Sequence, residues 1–151
     1  VVAELTPAPT RTALLASRRR RLAAMLYELL LLIGVVGGGL LLPWAIIGMA
    51  TGWAPAGWLL WLHLFFLLGG YFVWHWRAKG GTLAMKTWKL RLVTATGHPV
   101  GTRQAVVRYL LAWPSVATGV GLLWSLVDPD GQFLHDRLAG TRIIFWDWAQ
   151  R

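Results

Sequence analysis

One carboxylate stands inside an apolar stretch: Glu28, within RLAAMLYELLLLIG, residues 21 to 34. Burying a charge there is costly, so the glutamate is either held by a partner or used to take up a proton or a cation. It lies six residues past Leu22. At about 1.5 Å of rise per residue that is about 9 Å into the stretch, nearer a bilayer midplane than its surface. Arg21 precedes it by seven residues, so the two share a helix face about 10 Å apart along the axis. Helical side chains lean toward the N-terminus, which sends Arg21 toward lipid headgroups and away from Glu28. Arg108 is the better partner, because it sits just inside another apolar stretch and its long arm can reach deeper from the same side. A Glu28–Arg108 contact, direct or through water, is therefore expected. If it forms, Glu28 locks one helix against another and need do nothing more; without it, Glu28 is the best transport acid in the chain.

The other reactive residue types offer less. His135 beside Asp136 is half of a nucleophile-activating arrangement, but no serine or cysteine is placed to complete it. Loop-capping hydrogen bonds are expected instead, with Asp136 as N-cap of the short turn DRLAG. His63 reads as a hydrogen-bonded core or interfacial residue, and His75, beside Trp74 and Trp76, as an interfacial one. No two of the four histidines stand at i, i+4 and there is no cysteine, so no metal site is expected. Gly80 and Gly81 ahead of Thr82 and Lys86 lack the spacing of a phosphate loop. No catalytic residue and no cofactor is expected, and the chain is not expected to be an enzyme.

The scaffold that positions these charges must be shared with lipid. Of 151 residues 56% are hydrophobic and 14% charged, too apolar for a soluble domain of that size. Three apolar runs, roughly residues 22 to 42, 56 to 76 and 105 to 127, are each long enough to cross a core of about 30 Å. Trp44, Trp53, Trp58, Trp74 and Trp76 fall near the ends of these runs, where aromatic belts sit. The net charge of +9 invites a nucleic-acid partner until its distribution is seen. Residues 1 to 21 carry five arginines against Glu4, residues 77 to 103 carry six basic residues and no acid, and residues 43 to 55 carry no charge. That alternation places the N-terminus and the 77 to 103 segment in the cytoplasm, with Arg18, Arg19, Arg20, Lys86, Lys89 and Arg91 against anionic headgroups. No nucleic-acid partner is expected.

Residues 1 to 17 read as a disordered tail. The apolar run behind the arginines is too long for a secretory leader and has no clear cleavage site, so a retained anchor is expected. The first helix should run from about Arg20 to Leu42, ending before Pro43, with Gly34 and Gly38 on one face open to close approach. An uncharged outer loop follows, and a second helix returns to Trp76. KTWKLRLVTATGHPVG, residues 86 to 101, alternates and then turns at Gly97, as a strand and turn or a hairpin does. Its edge needs a partner, and TRIIFW, residues 141 to 146, is the obvious one. In the third run Pro114 is flanked by Ser115, Thr118 and Gly119. The run is either a kinked span that leaves the C-terminus outside or a re-entrant hairpin that returns it, and the strand pairing leans toward the hairpin. Residues 147 to 151 read as a C-terminal tail.

RLAAMLYE at 21 to 28, GGTLAMKTWKLRLV at 80 to 93, Arg108, and DPDGQFLHDRLAGTRII at 128 to 144 together resemble the RDD family of small bacterial membrane proteins. The resemblance covers most of residues 18 to 146, taken as one RDD-like transmembrane domain. The family is named for an arginine and two aspartates. Arg21 matches the arginine and Asp136 the second aspartate; Glu28 stands where the first aspartate is expected, and Ala84 where the family usually has glycine. The resemblance implies an inner-membrane location and, for some members, transport of sodium ions and protons. The expected fold is thus an all-α integral membrane protein with three apolar helical segments, the third broken or kinked at Pro114, and a small cytoplasmic β element. The expected function is cation or proton transport in which Glu28, and Asp136 with it, exchange cations while Arg21 and Arg108 tune them. A non-catalytic structural or assembly partner is the alternative. Three helices enclose little space, so a homo-oligomer or another membrane protein is the expected partner.

Overall fold

The computed structural model describes residues 15–147. Helix α1, Arg18–Val36, starts behind Ser17, whose hydroxyl accepts the amide N–H of Arg20. That N-cap satisfies one of the donors every helix start leaves open. The helix does not stop before Pro43 as expected. A five-residue π-helical segment, Gly37–Leu41, carries it into α2, Leu42–Thr51, with Pro43 in the first turn of α2. The wider turn absorbs a proline that would break a regular ladder, so most of the expected outer loop is helix. The combined helix, Arg18–Thr51, is 34 residues long. Its close approach to the next helix is at Gly39, where a Cβ would come within 2.9 Å of Leu67; nothing lies near Gly34 or Gly38.

Helix α3, Gly57–Lys79, returns from the far side and ends on Gly80 in the left-handed conformation, φ 68°. It and the α1–α2 helix are both long and apolar enough to cross a membrane. Their large side chains face outward: Leu26, Ile33, Trp58 and Phe66 are each at least 66% exposed. Apolar surface of that extent needs an apolar environment or a partner. Short α4, Leu83–Thr87, capped by the Thr82 hydroxyl, folds back against α1. Strand β1, Leu90–Thr94, follows.

The third apolar run is α5, Thr102–Ala117, and α6, Val120–Val127, which meet at 93°. The bend falls at Thr118 and at Gly119, φ 72°, while Pro114 stays inside α5. Proline three residues from a helix end costs its own hydrogen bond, but the turn needs the left-handed backbone that glycine adopts without penalty. Helix α7, Leu134–Leu138, packs on α5 and α6, and β2, Thr141–Phe145, closes the chain against β1. The strands are antiparallel, with Leu90 opposite Phe145 and Thr94 opposite Thr141. This is the pairing that the lone alternating segment called for. It also brings the chain before α5 and the chain after α6 to one end of the molecule.

The N-terminal segment joins the same end, since Leu15 bridges to Ile144 and the Ala16 amide donates to the Ile143 carbonyl at 3.2 Å. The rest of the expected N-terminal tail, residues 1 to 14, and residues 148 to 151 lie outside the described residues. The buried core sits here, under the sheet, and includes Ala16, Trp76, Met85, Leu90, Leu92, Ala105 and Ile143.

Candidate functional site

Arg21, Arg108 and Asp136 meet at the sheet end of the helices, and Glu28 stands apart from them. The segment DPDG, residues 128 to 131, folds around Asp128. Its carboxylate accepts the amide N–H groups of Asp130 and Gln132 at 3.0 and 2.9 Å and the Arg137 Nε at 2.7 Å. Arg137 also reaches Asp130 at 2.7 Å. Hydrogen bonds from Arg137 hold the Asp128 carboxylate below its usual range. The loop so fixed turns the carbonyls of Asp130 and Gly131 toward Arg21, whose guanidinium donates to both and to the Ala16 carbonyl. Arg21 is thus 2% exposed. It was expected among headgroups, and instead ties the start of α1 to the loop before α7, because planar guanidinium donors can serve several carbonyls at once.

No direct ion pair joins Arg108 to Glu28. The Arg108 Nε donates to Asp136 at 2.7 Å, and its guanidinium lies over the Trp76 ring, 4.2 Å from the centroid. Asp136 is fully buried and stands inside α7, which takes Phe133 as its N-cap. The expected capping role for Asp136 is therefore replaced by a buried ion pair. His135, its neighbour, stacks on Phe133 and has its Nδ1 3.0 Å from the Ser115 hydroxyl, with Nε2 3.8 Å from Asp136. Burial pushes the His135 imidazole down to about 4, so it is neutral at pH 7. A serine does meet the histidine after all, since the bend at Thr118 and Gly119 carries residues twenty apart in sequence face to face. Ser115 and His135 are both buried.

Glu28 accepts hydrogen bonds from the Tyr71 phenol at 2.6 Å and from the Thr82 hydroxyl. Among the described residues no Lys, Arg or His nitrogen lies within 4.0 Å of its carboxylate. Thr82 follows the end of α3, so Glu28 lies level with α4 and short of mid-helix. The residue is 8% exposed. It faces a cleft of about 680 Å³ between α1 on one side and α3, α5 and α6 on the other. Arg21, Thr82, Arg108 and His135 reach the same cleft from its sheet end, and the remaining walls are almost wholly apolar.

Tyr71, Thr82, Ser115, Asp128 and Arg137 are the residues that the sequence alone did not single out. Thr82 carried a signal, as a threonine directly ahead of a short helical pattern. Tyr71 carried none. The Trp44 indole donates to the His63 Nδ1 at 2.9 Å, and the His75 Nδ1 lies 2.7 Å from the Tyr71 carbonyl, so both rings are hydrogen-bonded. Of the cations expected at headgroups, Arg18, Arg19 and Arg20 are exposed, while Arg91 lies over Trp146 at 4.6 Å and Lys89 pairs with Asp147 at 3.4 Å. Among the described residues no three His, Cys, Asp or Glu side chains cluster as a metal site would require.

A model of the RDD family matches residues 15–140. Over 74 residues the chain is 31% identical to an uncharacterized protein of Rickettsia prowazekii (strain Madrid E), a stretch that covers 49% of this chain and 42% of that one. The chain therefore spans less than half the length of that relative. No solved structure matches.

Proposed function

Because the chain belongs to the RDD family and has two helices apolar enough to cross a membrane, we propose that it is a multi-pass protein of the bacterial inner membrane in which Glu28 takes up and releases a proton or a cation. One observation carries the reading: the cation expected to lock Glu28 is spent on Asp136. Among the described residues Glu28 has two hydroxyl partners, and a hydroxyl can hold a carboxylate in place without neutralising it. An unneutralised carboxylate beside an apolar cleft is poised to exchange a positive charge.

In this reading α1–α2 and α3 span the bilayer and α5–α6 enters and returns. The sheet, α4 and α7 lie on the cytoplasmic side, where Arg18, Arg19 and Arg20 meet anionic headgroups. Arg21, Arg108 and Asp136 position α1, α5 and α7 around Glu28 and do not themselves carry the transported charge. The chain acts without catalysis, and a second copy or another membrane protein completes the path. The test is flux in vesicles containing the purified protein: proton or cation movement should disappear in Glu28→Gln with the fold intact. Absence of flux in the wild type, together with a stable co-purifying partner, would favour an assembly role instead.

A further inference from the structure

The cleft beside Glu28 also bears on which positive charge it takes. Of the charged side chains that line the cleft, Arg108 is turned to Asp136 and Arg21 to the backbone carbonyls of Ala16, Asp130 and Gly131. Glu28 is the one carboxylate that lines it among the described residues, and its described partners are two hydroxyls.

The surroundings do not suit a small hard cation. Such ions take about six oxygen ligands, whereas Glu28 is met by two hydroxyls and the nearby walls are Leu32, Phe72, Trp76, Tyr109 and Trp113. A volume of about 680 Å³ is within the range of roughly 300 to 1,000 Å³ typical of sites for small organic molecules. The way in is apolar as well: Leu26 and Leu29 line the cleft and are 67% and 60% exposed, so its mouth opens on the face of α1 assigned to lipid. A ligand entering there must dissolve in the bilayer, and one held there gains from a positive charge facing Glu28 and the aromatic rings.

We infer that the cleft binds an amphipathic organic cation, its charge paired with Glu28 and its apolar body against the aromatic wall. This inference rests on the assignment of Glu28 as the exchanging carboxylate, and it replaces an inorganic ion by an organic one as the species that competes with the proton.

Equilibrium binding of radiolabelled tetraphenylphosphonium to the detergent-purified full chain tests it. Saturable binding is expected, weakened about tenfold or more in Glu28→Gln and largely retained in Glu28→Asp. Ala112→Trp, which fills the cleft from α5 and leaves Glu28 in place, should abolish it. Uncharged triphenylphosphine oxide should compete poorly. The inference is overturned if folded wild type shows no saturable binding, if Glu28→Gln binds equally well, or if a co-purified lipid occupies the cleft and the probe does not displace it. Proton and sodium flux measured on the same preparation separates the two levels. Flux that needs Glu28 without probe binding removes the organic cation alone, and loss of both removes the transport reading too.

Discussion

Asp136→Ala should destabilise the fold far more than any other loss of one carboxylate. The Arg108–Asp136 pair is 2.7 Å long and its side chains are 7% and 0% exposed, so water screens it little and no discount for exposure applies. Removing one member leaves the other as an uncompensated buried charge, which costs about 3–5 kcal/mol. The Trp76 face beneath Arg108 contributes about 2 kcal/mol and is present in both proteins, so it does not offset the loss. Taking about 3 kcal/mol and roughly 2–4 °C per kcal/mol for a chain of this size, the thermal midpoint should fall by roughly 6–12 °C. The assay is thermal unfolding of detergent-purified protein followed by tryptophan fluorescence, with Arg108→Met and the double variant completing a cycle. The double variant should recover much of the loss, because it removes the buried charge along with its partner. A fall of less than about 2 °C in Asp136→Ala, or purely additive losses, would refute the reasoning that this pair, and not Glu28–Arg108, fastens the helices.

Other outcomes follow from the same geometry. Gly121→Ala would place a Cβ 1.5 Å from the Ser115 hydroxyl and 2.7 Å from its Cβ, so it should force α6 away from α5 and cost about 1–3 kcal/mol of stability, read in the same thermal assay. His135 has its folded-state pKa lowered to about 4 from an ordinary 6.5, so between those values the unfolded chain binds more protons. Its stabilising contribution is complete above pH 6.5 and fades as pH falls toward 4. Midpoints measured across that window should decline in the wild type and flatten in His135→Asn. The chain has no cysteine, so Thr96→Cys and Ala54→Cys report orientation cleanly: an impermeant thiol reagent added to intact cells should label Ala54→Cys and spare Thr96→Cys, and the reverse pattern would invert the topology.

The sequence made the sheet legible, because Leu90 and Leu92 alternate within a basic segment and such an edge needs a partner, which TRIIF supplied. Arg21 and Asp136 were also visible as candidates, through the motif that carries them. Their contacts were not. Arg108 and Glu28 looked complementary because both lie in apolar runs, and nothing local reveals that α7 pushes Asp136 against Arg108 first. Asp136 resembled an N-cap since aspartate favours that place, but α7 begins two residues earlier at Leu134. Pro43 looked like a helix end because nothing local announces the π-helical turn Gly37–Leu41 ahead of it, where Gly39 lets Leu67 approach. Ser115 and His135 are joined only by the bend at Thr118 and Gly119, which depends on a left-handed glycine, and the proline five residues before that glycine drew attention to the wrong position.

Everything in the transport reading turns on Glu28 being held yet unneutralised. The Tyr71 and Thr82 hydroxyls donate to different oxygens of Glu28. A glutamine keeps an acceptor for one and offers an amide donor to the other, which can turn to accept, so Glu28→Gln should cost about 1 kcal/mol in stability. Flux through vesicles that contain the purified protein is the direct measurement. The account predicts proton or cation flux in the wild type and none in a Glu28→Gln variant of matching thermal midpoint. Flux that persists at the wild-type rate in that folded variant would contradict it.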